Sequence, residues 1–255
     1  MSLFILGIRW LFDPTHFGGP DGIDTRIGEH LLISLQVIII AAAIAMPLGY
    51  LIGHSRRERN RELPWVVSAI LGRDGSGRGL VIGLSGGVRG LPTLGLMTII
   101  ALSVGIGLEA PLIALVVLAV PSILAGAYAG FEAVDARTID AARAVGMTEW
   151  QIVSKIEVPL GLPLLIGGLR SASLQVIATA TLADYVGAGG LGHFIFLGLQ
   201  TNDYPQMLAG SIVVVLLALA SEAFFSIIQR IVVPAGVSGR TITSVRSRSI
   251  RSRSV

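Results

Sequence analysis

The sequence predicts an all-α integral membrane protein with about five transmembrane helices. Three observations support this fold class. Of the 255 residues 53% are apolar and only 14% are charged, the mean hydropathy is +0.77, and the chain contains several long runs almost free of charge. A soluble protein of this length needs a polar surface. Because so few charges cannot supply one, lipid is expected to surround most of the molecule.

A membrane-spanning helix needs about 20 consecutive apolar residues, and five segments meet this requirement. The expected spans are residues 31–53, 80–108, 110–131, 160–182 and 207–233, which together define a membrane domain over residues 31–233. A sixth span is an alternative if residues 64–71 combine with the glycine-rich residues 72–90. Arg73, Asp74 and Arg78 argue against that alternative, because charges are costly inside a bilayer.

The distribution of positive charge predicts the orientation. Most of the 19 Lys and Arg residues lie in three segments, namely 54–79, 132–159 and 234–255. The loops on the opposite side hold Arg9 and Arg26. Because short loops rich in Lys and Arg remain in the cytoplasm, the N-terminus is expected outside and the C-terminus inside. Residues 1–30 are then an extracytoplasmic segment, and residues 234–255 a disordered basic cytoplasmic tail.

The cytoplasmic loop at residues 132–159 is predicted to fold into a helix–glycine–helix elbow. Asp135 is suited to cap the start of a first helix, since its carboxylate can accept a hydrogen bond from a free backbone N–H. A helical run follows as far as Ala144. Gly146 then supplies a turn, because glycine tolerates the left-handed conformation that ends helices. This part of the loop is therefore not an irregular linker.

The second arm of the elbow begins with a capping signature. Thr148 and Gln151 have the spacing of a capping box, in which each side chain bonds to the backbone of the other residue. The second helix is expected to run to about Ile156 and to be stopped by Pro159 before the membrane. The elbow, residues 135–157, would then protrude from the bilayer.

This elbow resembles the EAA signature of ABC-importer permeases. The family pattern is E-A-A, three residues, Gly, nine residues and then Ile-x-Leu-Pro, and the spacing here is the same. The residues that match it are Asp140, Ala141, Ala142, Gly146, Ile156 and Pro159. Asp140 replaces Glu and Val158 replaces Leu, and both changes keep the character of the side chain. The resemblance implies that the elbow docks into a groove on a separate ATPase subunit and moves with it.

A second stretch, residues 177–199, resembles permeases for osmoprotectants such as glycine betaine, choline and carnitine. The sequences T-A-T-L at residues 179–182 and G-A-G-G-L-G at residues 187–192 carry the likeness. The whole resemblance covers roughly residues 28–233. It implies a type I permease fold in a bacterial cell membrane. It also implies three kinds of partner: cytoplasmic ATPase subunits, a second permease subunit (the same chain or a paralogue) and an extracytoplasmic solute-binding protein.

The sequence lacks the phosphate-binding motif that ATP hydrolysis on this chain would need. A phosphate-binding loop needs Gly-Lys-Ser/Thr, whereas the one lysine, Lys155, follows Ser154. We therefore expect no catalytic residue, cofactor or metal ion here, with ATP and Mg²⁺ on the partner ATPase. The pI of about 9.8 could suggest nucleic acid, but the apolar runs argue against such a partner.

Two charges lie deep within the expected spans. Arg170 and Glu222 are predicted to face the interior of the bundle and to pair, because an unpaired charge there costs about 2.5–3.5 kcal/mol or more. Independent solvation by snorkelling or by a water-filled cavity is the alternative. Gly126 and Gly130 form a GxxxG pair, which predicts close helix packing.

The glycine-rich run near the expected outer face holds the candidate pathway residues. These are Tyr185, Gly187, Gly189, Gly190 and Phe194. Flexible glycine backbone could line a pathway or simply make a turn. The two aromatic rings could hold a quaternary ammonium ion by cation–π attraction or anchor the chain at the membrane interface.

Two other functions compete with the importer hypothesis. A secondary transporter is expected to contain inverted repeats, and five spans do not divide into equal halves. An intramembrane serine hydrolase would use Ser85, which lies in the sequence GLSGG. That reading needs a base, and His193 has no orienting carboxylate at a recognisable spacing. Glycine packing explains GLSGG better.

Overall fold

The computed structural model describes residues 2–55, 83, 87 and 91–232, and every regular element in these ranges is helical. In chain order the α-helices are α1 (Leu3–Leu11), α2 (Ile23–Ser55), α3 (Thr93–Val104), α4 (Glu109–Glu132), α5 (Ala136–Ala144), α6 (Glu149–Ile152), α7 (Val158–Thr179), α8 (Gly192–Thr201) and α9 (Tyr204–Val232). Short 3₁₀ segments cover Pro14–His16 and Ala180–Val186, and a π-helical turn covers Val153–Glu157. The predicted all-α class is confirmed.

Four helical stretches of the described chain are long and apolar enough to cross a membrane. They are Ile23–Ile52, Glu109–Glu132, Glu149–Val186 and Tyr204–Val232. Helix α3, with 12 residues, is apolar but shorter. It lies within the predicted span at residues 80–108. Of the first eleven residues of that span, the structure describes 83 and 87. Residues 64–82, which belong to the alternative sixth span and the start of this one, also lie outside the described ranges. The number of spans therefore stays a prediction.

Two of the membrane helices end close to the predicted spans, whereas α2 starts earlier than its predicted span. Helices α4 and α9 match the spans predicted at 110–131 and 207–233 within a few residues. Helix α2, however, begins at Ile23, well before the predicted start of its span at residue 31, so the helix is longer than the predicted span. Local ion pairs of Arg26 allow the helix to extend through this charged segment, and a charge-free run is too strict a criterion there.

The membrane helix that follows the elbow is also longer than predicted. Helix α6 passes through the π-helical turn directly into α7, so the chain is helical from Glu149 to Val186. The prediction that Pro159 stops the second arm is wrong. Pro159 falls in the first turn of α7, where proline is tolerated, and the wider π turn before it lets the helix continue. The elbow and the membrane helix are therefore one continuous element.

Helices α4 and α7 pack through glycines at the centre of the fold. A Cβ atom added to Gly126 would lie 2.6 Å from the Cα of Gly168, and one added to Gly130 would lie 2.8 Å from the carbonyl oxygen of Gly161. No side chain fits between backbones this close. Small residues allow such contact in membranes, where packing replaces the hydrophobic effect as the main attraction between helices. The close packing predicted for Gly126 and Gly130 is confirmed.

Helix α9 is attached mainly through its first half. Its buried residues are Ala209, Gly210 and Val214, and no residue of α9 from position 215 to 232 is buried in the described chain. Helix α1 packs on the same end, since a Cβ atom added to Gly7 would lie 2.9 Å from the side chain of Leu208. In the second half of α9 the side chains are half-buried or exposed.

Candidate functional site

The first arm of the elbow and its turn form as the sequence predicts. The Asp135 carboxylate accepts a hydrogen bond from the backbone N–H of Arg137 at 2.9 Å and caps α5. Gly146 ends the arm with φ +84°, a conformation that residues with a Cβ atom rarely adopt. The backbone N–H of Met147 then donates to the carbonyl of Ala142 at 3.1 Å. These bonds satisfy groups that a helix end otherwise leaves free.

The second arm carries the predicted capping box. The backbone N–H of Gln151 donates to Thr148 Oγ1 at 3.4 Å, and the Gln151 side-chain oxygen accepts from the Thr148 N–H at 2.9 Å. An ion pair links the two arms, with Arg143 Nε and Nη2 donating to the two carboxylate oxygens of Glu149 at 2.9 and 3.1 Å. The turn at Gly146 lies between the paired residues. The elbow is therefore closed by side chains as well as by backbone.

The elbow has a small apolar core and an exposed apolar tip. The buried residues that form this core are Val134, Ile139, Ala142 and Ile152, with Ile156 packed against them. At the tip, Val145 and Trp150 are 78% and 76% exposed. Sequence analysis missed both tip residues, although an aromatic residue in the first turn after the helix cap at Thr148 was a usable signal.

The signature residues of the elbow divide into exposed and packed positions. Asp140, Ala141 and Gly146 are exposed, whereas Ala142 is buried in the elbow core. Both alanines belong to the signature that the resemblance connects with docking. Of the two, only Ala141 is accessible to a partner in the described chain. Ala142 instead lets the two arms pack on each other.

The two deep charges are paired in the structure. Arg170 Nε donates to Glu222 Oε2 at 2.7 Å, and its Nη2 contacts Glu222 Oε1. Arg170 Nη1 also donates to Gln229 Oε1 at 3.4 Å. The side chains of Arg170 and Glu222 are 33% and 31% exposed in this chain. The pair joins α7 to the second half of α9, in which no described side chain is fully buried.

The glycine run makes a tight turn, which we call the glycine turn (residues 187–192). Gly187, Gly189 and Gly190 have φ values of +78°, +77° and +85°. The Gly190 N–H donates to Glu29 Oε2 at 2.9 Å, and a Cβ atom added to Gly189 would lie 2.6 Å from the same oxygen. These glycines therefore form a packed turn fixed to the start of α2, and their role in lining a pathway stays a prediction.

A buried histidine completes the attachment of the glycine turn. His30 Nδ1 accepts a hydrogen bond from the Leu191 N–H at 3.4 Å, and its Nε2 lies 2.9 Å from the carbonyl oxygen of Ile177. Only the tautomer with the proton on Nε2 satisfies both contacts. His30 thus links α2 to α7 and to the turn at once.

The two aromatic candidates differ in their surroundings. Tyr185 is exposed, and its ring centroid lies 5.9 Å from that of Phe196. Phe194 is buried, with its ring 5.4 Å from that of Trp10, so it neither anchors the chain at an interface nor presents a face to a solute within this chain. The burial of Phe194 therefore fits neither of the two roles predicted for its ring. Its burial depends on α1, whose packing the sequence did not indicate.

These features are those of a known class of membrane protein. A family model described as "Binding-protein-dependent transport system inner membrane component" matches residues 65–235. The chain belongs to this family. It is therefore a multi-pass membrane protein of the ABC transporter permeases, as the EAA-like elbow led us to expect.

Relatives in this family match most of the chain. The carnitine transport permease protein OpuCB of Listeria monocytogenes is 35% identical over 76% of this chain and 80% of its own length. The glycine betaine/carnitine/choline transport system permease protein OpuCB of Bacillus subtilis is 29% identical over 84% of this chain and 90% of its own. The choline transport system permease protein OpuBB of Bacillus subtilis is 29% identical over 82% of this chain and 88% of its own.

Solved structures show the same fold. A chain of the MetNI methionine ABC transporter in an inward-facing conformation superposes with a TM-score of 0.67 at 23% identity, covering 89% of this chain and 98% of that chain. An amino acid ABC transporter crystallised with histidines gives a TM-score of 0.55 at 17% identity, covering 80% and 94%. At these identities the likeness establishes the fold of the permease family.

Sequence analysis missed one polar group of this family member, which we call the charged cluster. It consists of Asp21, Arg26, Glu29, Asp184 and His193. Arg26 pairs with Asp21 at 2.6 Å and with Glu29 at 2.8 Å, and His193 Nδ1 lies 3.5 Å from Asp184 Oδ1. The cluster surrounds the glycine turn and joins it to α2. It was missed because its residues lie far apart in the sequence.

The remaining candidates for chemistry are the residues of the hydrolase alternative and possible metal ligands. Ser85, the nucleophile of the hydrolase alternative, lies outside the described residues. Asp184 is the carboxylate beside His193 that sequence spacing did not reveal. Among the described residues no group of three or more His, Asp or Glu side chains could hold a metal ion.

Proposed function

We propose that this chain is the permease subunit of an ATP-driven importer for osmoprotectants such as glycine betaine, choline or carnitine. The family supports the transport role, and the names of the relatives support the substrate class. One structural observation carries the coupling mechanism: a closed elbow with an exposed apolar tip is continuous with a membrane helix.

The elbow is the docking element for a separate ATPase. Val145 and Trp150 project from it, and apolar side chains this exposed are typical of surfaces that bind a partner. Ala141 leaves room beside them for close approach. The ATPase subunits hold ATP and Mg²⁺, while this chain supplies no catalytic group, cofactor or metal ligand.

Force from the ATPase then reaches the far end of the bundle through one helix. Closure of the ATPase subunits displaces the elbow, and the helix from Glu149 to Val186 carries this displacement to the glycine turn. Because Glu29 and His30 attach that turn to α2, the movement also reaches the first span. Access to the pathway switches from the outer to the inner side.

Other subunits complete the transporter. A second permease, either the same chain or a paralogue, forms the other wall of the pathway. A solute-binding protein delivers substrate at the glycine-turn end, which faces outwards, while the elbow faces the cytoplasm. This orientation agrees with the positive charge of the segments at residues 54–79 and 234–255.

Reconstitution into liposomes tests the proposed function. The complex that co-purifies with the wild-type chain should take up radiolabelled glycine betaine, choline or carnitine when ATP is enclosed on the elbow side, and should not take up methionine. Uptake that is driven by an ion gradient without any ATPase would contradict the proposal and favour a secondary transporter. Absence of uptake of all three quaternary ammonium compounds would contradict the substrate class.

A matched pair of variants tests the docking surface separately. Trp150→Ala should lower the amount of ATPase that co-purifies with the chain. Phe12→Ala is the control, because Phe12 is also an aromatic residue that is 76% exposed, but it lies away from the elbow. Equal recovery of the ATPase with both variants would show that the tip does not form the docking surface.

A further inference from the structure

We propose that Arg170 is a positioning residue that makes the second half of α9 (residues 215–232) follow the helix that rises from the elbow. This inference rests on the proposed function, since it concerns how the displacement of the elbow by the ATPase is transmitted to the other membrane helices. The ion pair of Arg170 and Glu222 then does more than neutralise two charges. It transmits movement between two helices.

The second half of α9 contains no fully buried side chain. The buried residues of the helix all lie at its start, at Ala209, Gly210 and Val214, close to α1 and α8. From residue 215 to 232 the side chains are half-buried or exposed. Half-buried side chains interlock less with a neighbouring helix than buried ones do, so they oblige the segment less to move with that neighbour.

The guanidinium of Arg170 adds polar contacts to the partial packing of this segment. It reaches Glu222 through two nitrogens and Gln229 through a third. Glu222 and Gln229 are seven residues apart in the sequence, about two turns of helix. The planar fork of an arginine fixes the geometry of such bonds, which a lysine cannot do. One side chain therefore holds α9 at two levels.

The position of Arg170 in the fold connects this contact to the elbow. Arg170 lies on α7, which continues without interruption into the elbow through the π-helical turn. Inside a membrane the attraction between opposite charges is stronger than in water, because solvent screens it less. Separation of the pair would leave two charges without partners in a medium that penalises them. Movement of the elbow should therefore carry Glu222, and with it α9.

Loss of this contact should uncouple hydrolysis from transport. In the reconstituted complex, Arg170→Gln and Glu222→Gln should retain the ATPase subunit and hydrolyse ATP. The number of solute molecules imported per ATP should fall about tenfold, which is a typical size for the loss of one energetic coupling between two sites. The charge reversal Arg170→Glu with Glu222→Arg should recover most of the loss, because it restores the pair. A side chain that served only to fill space would not be rescued in this way.

Further variants separate positioning from folding. Arg170→Lys keeps the charge but not the fork, so it should import an intermediate amount per ATP. Arg230→Gln is the matched control, because Arg230 is an exposed arginine next to Gln229 and should give the wild-type ratio. If the single variants fail to assemble, the neutral double variant Arg170→Met with Glu222→Leu buries no unpaired charge. It should assemble and be uncoupled.

The outcomes distinguish this inference from the proposed function. If the wild-type complex shows no ATP-dependent uptake, the proposed function itself is wrong. If the wild type imports solute and the assembled variants, single or double, import the same number of molecules per ATP, only the role of Arg170 is wrong. The same conclusion follows if the charge reversal assembles but restores nothing.

Discussion

Arg143 and Glu149 close the elbow with two parallel hydrogen bonds, of 2.9 and 3.1 Å, across the turn at Gly146. The pair joins the end of α5 to the first residue of α6, so it fixes the angle between the arms. Arg143 also lies 3.8 Å from the carboxylate of Asp140, the residue that stands for Glu in the EAA signature. A signature position is thus tied to the geometry of the elbow.

Replacement of Arg143 by Lys should weaken docking more than folding. A lysine cannot make two parallel bonds to Glu149, so the angle of the elbow becomes less fixed. Partly exposed ion pairs contribute only about 0.2–1 kcal/mol to stability, and the thermal unfolding temperature in detergent should change little. The amount of co-purified ATPase should fall. A large drop in the unfolding temperature with normal ATPase binding would contradict this account.

Gly146→Val should damage the elbow through its backbone. At φ +84° a side chain costs about 1–2 kcal/mol, and valine tolerates this region poorly. A Cβ atom at this position meets no atom within 4 Å, so crowding is not the cause. Gly146→Asn is the control, because asparagine adopts the left-handed conformation more readily. Recovery of the ATPase should fall with valine and be largely kept with asparagine.

Two adjacent glycines of α7 should respond in opposite ways to alanine. In Gly168→Ala the new methyl group lies 2.9 Å from the Cα of Gly126, whereas in Gly167→Ala it meets no atom within 4 Å. Overpacking costs about 1–3 kcal/mol, while Gly→Ala in an unhindered helix gains about 0.5–1 kcal/mol. Thermal unfolding in detergent should show a lower midpoint for Gly168→Ala and an equal or higher one for Gly167→Ala. Equal midpoints would contradict the tight contact.

His30→Leu should loosen the glycine turn. The substitution leaves the carbonyl of Ile177 and the N–H of Leu191 without their partner, and a buried unsatisfied group costs about 1–3 kcal/mol. His30→Gln retains a donor and an acceptor and should recover part of the loss. Hydrogen exchange of the amides at residues 187–192 should be faster with leucine than with glutamine or histidine. Unchanged exchange in the leucine variant would show that His30 does not hold the turn.

The orientation can be tested with single cysteines, because the chain contains none. A maleimide that cannot cross the membrane should label Tyr185→Cys in intact cells, since Tyr185 is exposed at the glycine-turn end. It should label Val145→Cys at the elbow tip only after the membrane is permeabilised. The reverse pattern would invert the topology and remove the elbow from the reach of a cytoplasmic ATPase.

Local signals allowed the start of each arm of the elbow and the turn between them to be predicted. The Asp135 cap, the turn at Gly146 and the capping box of Thr148 and Gln151 all depend on residues within a few positions of each other, and all three form. The pairing of Arg170 with Glu222 was predictable for a different reason. Two charges in an apolar environment have few partners available other than each other.

The missed features depend on contacts between distant segments. The charged cluster joins residues near position 26 to residues near position 190, and no sequence spacing reveals that contact. The burial of Phe194 depends on Trp10 in α1. The behaviour of Pro159 depends on a π turn, which has no sequence signature of its own. The sequence therefore indicated local structure more reliably than contacts between distant segments.

The length of the helix that contains Arg170 determines where the ATPase can work. Its 38 residues, at about 1.5 Å each, extend about 57 Å, whereas a bilayer with its headgroups is about 40–45 Å thick. With the glycine turn at one membrane surface, the opposite tip stands clear of the lipid. Under the proposed function, a water-soluble ATPase can therefore bind this tip without any affinity for membranes, and its attachment to the bilayer depends on the elbow.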